Sequence, residues 1–331
     1  MHRHLNRRQA LALGAGTIAS TVAATAAPAV FAQAAYPNKP VRVIVPFPAG
    51  TGLDVDSRFF TSRLSDLLGQ AFVIENKPGA AGTIGTAYAA KQPADGYTLY
   101  MGSTSALSYI PTLYTRLSYK LSEFTAISQL ALLQGALIAH PQLPAKTAAE
   151  LVALSKARPG TIRAATQGVG SFSHMVGEWF VMTTGAQIEF IPYNTSSPFA
   201  SVLAGETQLI FDALPASMTN VQGGRLKALA VTGAARQPLL PEVPTYREQG
   251  IADFEPFTWF GLMAPTGTPP AFIERISAAC AQVAKMPEAI ERYKALGGAP
   301  VGNTPAEFNA LIKAEQDKWI PVVQRTGIKL D

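Results

Sequence analysis

The sequence predicts an α/β fold in two lobes, each a mixed, mostly parallel sheet flanked by helices. Three observations carry this. Short β-branched runs alternate with amphipathic helical stretches, the rhythm of βαβ units. The rhythm restarts after residue 136, where a strand, glycine loop and helix in the second half ("TQGVGSFSHM") weakly repeat the pattern of the first ("PFPAGTGLD"). About 297 residues remain of the 331 once a 34-residue leader is set aside, a length for roughly two domains.

The leader comes first in the chain. Arg3, Arg7 and Arg8 form a basic segment, "ALALGAGTIASTVAATAAPAVF" an apolar one, and Ala32-Gln33-Ala34 a small-residue cleavage motif. That order is a secretory signal peptide over residues 1–34, cut after about Ala34, and it places the mature chain in the periplasm. Asn6-Arg7-Arg8-Gln9 carries a twin arginine in a partial consensus, which leaves the export route open. The leader holds three of the 27 basic residues and none of the 22 acidic ones. The mature chain therefore carries 24 against 22, a net charge of +2. A balance so close to neutral, without basic clusters and interleaved aromatics, gives no case for nucleic acid or a membrane surface. The single cysteine, Cys280, makes no internal disulfide, and its apolar-periodic surroundings predict a buried small hydrophobe.

The elements follow in order. "VRVIV" (41–45) reads as strand. A helix over 55–69 comes next, with Val55, Phe59, Phe60, Leu64, Leu67 and Leu68 on one face and Gly69 ending it. Asp54 reads as its cap. "AFVIE" and "YTLYMG" are strands around a Gly/Ala-rich helix start. In the second half "ALIAH", "TIRAAT", "IEFIPY", "TQLIFD" and "LKALAV" are strands separated by helices, the first of these opened by a Thr147–Glu150 capping box. The end of the chain is mostly helical, with a second box at Thr304–Glu307 and proline at the first helical position.

Catalytic constellations are not apparent. No G-x-S-x-G occurs, the mature histidines His140 and His174 lack metal-ligand spacing, and acidic pairs at useful spacing are missing. No metal and no cofactor is expected. An oxidoreductase finds one foothold: Gly50-Thr51-Gly52 supplies G-x-G after a strand, and Glu75 ends the next strand where a ribose-binding acid belongs. Val55 occupies the third glycine's position, and Pro46 and Pro48 stiffen the loop. What remains are neutral donors at strand ends and helix starts: the backbone over 49–53, Ser103-Thr104-Ser105, Gly170-Ser171-Phe172-Ser173, and Thr195-Ser196-Ser197. Donors of this kind, backed by helix dipoles, hold a carboxylate without a countercharge and do not attack it.

Several blocks occur in fixed order from about residue 36 to 331: "YPNKPVRVIVPFPAGTGLD", "FVIENKPGAAGTIG", "ADGYTLYMG", "GVGSFSHMVGE", "FDALPASM", "GRLKALAVTGAAR", "LPEVPT", "WFGLMAPTGTP" and "GIKLD". Together they resemble the Bug-type periplasmic solute receptors of tripartite tricarboxylate transporters. The resemblance implies a type II periplasmic-binding-protein (Venus-flytrap) fold with two crossovers. Lobe 1 would hold 35–137 plus 259–331, and lobe 2 would hold 138–258. It implies a monomer that captures a small organic carboxylate and delivers it to transporter subunits in the membrane, with a sensor role for a signalling partner sharing every feature. Carried over to this chain, the carboxylate would be held by Ala49, Gly50, Thr51 and Gly52 with Gly170, Ser171 and Ser173, and Asp212 would lie near the pocket. The chain departs from the family at Thr51-Gly52 for a glycine pair, at Tyr193-Asn194-Thr195 for a lysine-bearing motif, and at Ala213 for an asparagine. A pocket thus less cationic and less polar, with Phe47, Phe172 and Phe199 beside the loops, favours an apolar or aromatic carboxylate over citrate, with a dicarboxylate kept as the other candidate class.

Overall fold

In the computed structural model, which describes residues 36–193 and 197–331, "VRVIV" forms β1 (Val41–Val45), buried except at Arg42. α1 (Gly52–Leu68), β2 (Phe72–Asn76), α2 (Thr83–Ala90), β3 (Thr98–Ser103), the single-turn α3 (Ile110–Leu113) and β4 (Phe124–Leu133) follow. Then come β5 (Gly135–Ala139), α4 (Ala148–Ala157), β6 (Arg163–Thr166), α5 (Phe172–Thr184), β7 (Glu189–Pro192), α6 (Pro198–Ala204), β8 (Leu209–Ala213), α7 (Leu214–Gln222) and β9 (Lys227–Val231). The chain closes with β10 (Thr258–Pro265), α8 (Pro270–Ala284), α9 (Pro287–Ala295), β11 (Gly298–Pro300) and α10 (Pro305–Thr326).

The strands build two sheets, ordered β11-β4-β10-β3-β1-β2 and β7-β6-β8-β5-β9. The βαβ units supply the parallel pairs, β1 with β2 and β3, and β6 with β7 and β8. The antiparallel pairs come from strands at the crossings: β10 runs against β3 and β4, and β5 against β8 and β9. β11 also runs against β4, so both sheets are mixed but not mostly parallel as expected: among the described strands four neighbouring pairs are parallel and five antiparallel. A rhythm of strands and helices shows only the parallel part, because a crossing strand carries no helix to mark its direction.

The chain passes from the first sheet to the second at Gln134, between β4 and β5, and returns before Thr258. Residues 135–137, expected in the first lobe, pair with β8 and β9 of the second sheet. The outgoing and returning segments press together here. A Cβ on Gly135 would stand 2.2 Å from the Pro256 carbonyl oxygen, and Thr232 Oγ1 lies 3.0 Å from the Gly135 carbonyl and 3.2 Å from that of Pro256.

α10 links the two lobes from outside the sheets. Thr304 and Glu307 make the expected capping box at its start. Near its far end the fully buried Trp319 packs on Tyr109 of the first lobe (5.0 Å between ring centroids) and on Trp179 of the second (5.4 Å). Cys280 is buried, as its surroundings predict, and burial pushes its thiol up to about 12. α1 departs from its predicted face. Phe60 and Leu64 are fully buried, but Val55 and Leu67 are 45% and 38% exposed, and Ser57 and Thr61 point inward instead. Both hydroxyls satisfy themselves on their own helix, Ser57 donating to the Leu53 carbonyl and Thr61 to that of Arg58. Small self-satisfied side chains let the helix lie close on the sheet, and a hydrophobicity count cannot see this.

Candidate ligand-binding site

A cavity of about 390 Å³ opens between the lobes. One wall is the start of α1 (Gly52, Leu53, Asp56) with Phe47 before it and Ser103 and Ser105 at the end of β3. The floor is the crossing strands, with Leu133, Thr258, Trp259 and Phe260. The far wall is the β8–α7 junction: Ala213, Pro215 and Ala216. No lysine or arginine is among these lining residues, and the surface is largely apolar.

The first-lobe loop is held by one buried carboxylate. Asp54 is 2% exposed and accepts from the Gly50 N–H (2.9 Å), Asn76 Nδ2 (2.9 Å), and Arg58 Nε and Nη2 (2.9 and 3.0 Å). Asn76 Nδ2 also donates to the Phe47 carbonyl at 2.9 Å, so the loop is fixed from both ends. Burial pushes Asp54 up, but the hydrogen bonds from Arg58, Gly50 and Asn76 and the Arg58 charge outweigh it and hold the carboxyl below its ordinary value. Thr51, not Asp54, is the N-cap of α1. Asp54 sits three residues later and reaches back past the N-cap to the Gly50 N–H, while the Thr51 N–H goes to the Pro48 carbonyl, so no capping box forms. Gly50 takes φ +83°, a left-handed conformation that glycine adopts without strain.

This arrangement changes which donors are available. The Gly50 N–H is taken by Asp54, and Thr51 turns both its N–H and its hydroxyl back to the Pro48 carbonyl. The first-turn N–H groups of Gly52 and Leu53 have no acceptor within the helix, as at any helix start. Both residues line the cavity, with the helix dipole behind them. Ala49 and Gly50 are exposed and are not among the cavity's lining residues.

The second-lobe loop is also internally tied. The Gly170 N–H donates to His174 Nδ1 (3.1 Å), the Ser171 N–H to the Gly168 carbonyl (3.2 Å), and the Gln167 N–H to the fully buried Ser173 Oγ (2.9 Å). Ser171 caps α5 by accepting from the His174 N–H, and its hydroxyl lies 3.1 Å from that of Ser173. His174 is thus structural, with Nε2 3.5 Å from Glu178. A Cβ on Gly170 would meet Leu330 and Leu113 of the first lobe at 3.0 and 3.2 Å, so this loop lies against the partner lobe rather than in the cavity lining. Asp212 is 7% exposed and links loop to wall. Its Oδ2 accepts from Gln167 Nε2 (3.1 Å) and its Oδ1 from the Ala213 N–H (2.7 Å). Burial pushes its carboxyl up to about 7 against the Ala213 hydrogen bond.

Of the residues expected at the ligand, Phe47, Gly52 and Ser103 line the cavity. Thr104 does not: it is 1% exposed, and its hydroxyl donates to the Trp259 carbonyl (3.0 Å) and accepts the Trp259 N–H (2.7 Å), fixing the crossing strand. Phe172 and Phe199 pack on the cores of the structure, Phe199 beside Tyr193 and Leu203. Ser197 is the exposed N-cap of α6, and Thr195 and Ser196 lie outside the described residues. The crossing-strand aromatics Trp259 and Phe260 were missed. Their run "TWFGLM" reads as an ordinary buried strand, and only its crossing between lobes puts it at the cavity. Asp56 was also missed, although it lies one helical turn after Gly52 and so on the same face. Glu75 pairs with Arg42 (3.3 Å) and Lys77 (2.8 Å).

Two mixed α/β lobes joined by crossing strands, with a cleft between them, define a periplasmic binding protein of type II. The chain belongs to the tripartite tricarboxylate transporter receptor family, whose pattern it matches over residues 57–328. It is 37% identical over 298 residues to protein BugT of Bordetella pertussis, covering 89% of this chain and 91% of that one. Among solved structures it is similar to Rpa4515 of R. palustris with adipate (31% identity, TM-score 0.81, 89% of this chain and 99% of that one). It is also similar to MatC of Rhodopseudomonas palustris with bound malate (27% identity, TM-score 0.77, 87% and 100%). The family's members are solute receptors of the periplasm.

Proposed function

We propose that this protein binds a small organic carboxylate in the cavity between its lobes and hands it to the membrane subunits of a tripartite tricarboxylate-type transporter, without transforming it. The observation that carries the reading is the cavity itself. Its lining includes the first residues of α1, Gly52 and Leu53, and two serines whose hydroxyls lie 3.0 Å apart, and among the described residues Asp56 is the only ionisable one that lines it. Reversible capture of an anion needs such donors, whereas catalysis needs a nucleophile or an acid–base pair. The adipate and malate complexes of related proteins support the carboxylate class. Phe47, Trp259 and Phe260 in the walls favour an apolar or aromatic body. Ligand binding shifts the population of a hinged pair of lobes toward the closed state. The first 34 residues act as the export signal, cut after about Ala34, and the mature receptor works as a monomer in the periplasm. A dinucleotide is disfavoured, because Asp54 takes the N–H of the first glycine of the G-x-G and Glu75 is engaged by two cations.

A thermal-shift screen of residues 35–331 tests this, with mono-, di- and tricarboxylates, aromatic acids, amino acids and NAD(H). A ligand at about 100 times its dissociation constant adds about 2.7 kcal/mol. The expected result is a rise of several degrees with one carboxylate class and none with NAD(H). A rise with NAD(H) alone overturns the reading. Citrate binding at least ten times tighter than every aromatic acid overturns the aromatic preference.

A further inference from the structure

One group in the cavity wall does not fit a site built only to receive anions. Asp56 projects from α1 one turn after Gly52 and is 5% exposed. Its Oδ1 accepts from Arg292 Nη2 (3.1 Å) and from the Tyr293 hydroxyl (3.2 Å). Among the described residues no hydrogen bond reaches its Oδ2. A carboxylate oxygen accepts two or more hydrogen bonds when satisfied, and this one is not sealed off from solvent, so water serves it until a ligand takes that place. This oxygen belongs to a cavity-lining residue, so a ligand can supply the missing donor.

We infer that Asp56 Oδ2 receives a neutral hydrogen-bond donor, a hydroxyl, at the end of the ligand remote from its carboxylate. The inference rests on the carboxylate reading and narrows its substrate class to hydroxylated monocarboxylates. Three physical points select this chemistry. Asp56 is already balanced by Arg292, so an ammonium would gain one charge and be repelled by the other. Burial raises the Asp56 carboxyl above its ordinary value despite Arg292 and Tyr293, so a second carboxylate beside it would meet a site that already resists negative charge. Four residues of helix separate Gly52 from Asp56 by about 6 Å along the axis. A benzene ring or a short alkyl chain between carboxyl and hydroxyl spans that distance, and Phe47, Phe260 and Leu53 are among the residues that line the same cavity.

The test is calorimetric binding of the exported protein to two matched series. One is benzoate, 4-hydroxybenzoate and terephthalate. The other is hexanoate, 6-hydroxyhexanoate and adipate. In at least one series the hydroxy acid binds about tenfold or more tighter than both its parent acid and its diacid. Asp56→Asn keeps an acceptor for Arg292 and turns an amide N–H toward the ligand, so the hydroxy acid weakens and the diacid gains, inverting their order. Asp56→Leu removes the acceptor and levels the hydroxy acid with its parent. The inference is overturned if the parent or diacid equals the hydroxy acid in both series, or if the order survives Asp56→Asn. In those cases carboxylates still bind and the receptor reading stands. If none of the six acids binds, the inference falls, while the receptor reading is decided by the wider carboxylate screen.

Discussion

Replacing Asp54 with alanine removes the group that ties the first-lobe loop to the start of α1. Four N–H groups converge on its carboxylate, from Gly50, Asn76 and twice from Arg58. They are not equal. The Arg58 side chain is 53% exposed, so its ion pair is screened and contributes less than about 1 kcal/mol. The Gly50 and Asn76 bonds go to a buried charge and are worth about 1.5–3 kcal/mol each in favourable cases, less here because Gly50 can turn to water. A loss of about 3 kcal/mol follows for Asp54→Ala, a midpoint drop of roughly 6–10 °C. The loop also loses its fixed shape. Re-ordering one or two backbone residues on binding costs about 1.4 kcal/mol each, so affinity for the carboxylate falls about tenfold to a hundredfold. The pH sign is fixed by the depressed carboxyl: its stabilisation is complete above the unfolded value near 4 and is lost as pH falls through the lower folded value. Wild type and variant therefore differ fully at pH 7 and converge below about pH 4. Urea denaturation at several pH values and calorimetric titration check both parts. A variant that loses stability yet binds with unchanged affinity would refute the view that this loop is a preformed cradle.

Two further outcomes follow from the same geometry. Gly135→Ala puts a Cβ 2.2 Å from the Pro256 carbonyl at the crossing of the lobes, so it should cost about 2 kcal/mol or more and impair closure, read by denaturation and by small-angle scattering with and without ligand. Asp212 keeps its proton in the folded state up to about 7, so wild-type stability should fall between about pH 4 and 7 by up to about 1.4 kcal/mol per unit and level off above; Asp212→Asn should remove that slope, as urea midpoints across this range would show.

The strands of the βαβ units were legible because their β-branched runs are bounded by turn residues, and the helix caps at Thr147 and Thr304 because their partners lie three residues on. The donor loops were legible in place but not in use. Sequence puts Gly50, Gly170 and Ser173 at helix starts, yet cannot show that Asp54, His174 and Gln167 occupy their hydrogen bonds. Thr104 looks like any hydroxyl after a strand until Trp259 is brought against it by β10, 155 residues later. The cavity floor and Asp56 depend on how crossing strands and helix rotation bring distant residues together, and neither has a local signature.

The central claim is that a carboxylate occupies the cavity between the lobes, and Ala216→Trp tests it most directly. Ala216 is exposed on the far wall, so an indole there fills the cavity without disturbing a core. Titration calorimetry with the carboxylate that gives the largest thermal shift should show affinity reduced more than about a hundredfold, with the unliganded melting temperature within about 2 °C of wild type. Unchanged affinity in a normally folded Ala216→Trp protein would contradict the account.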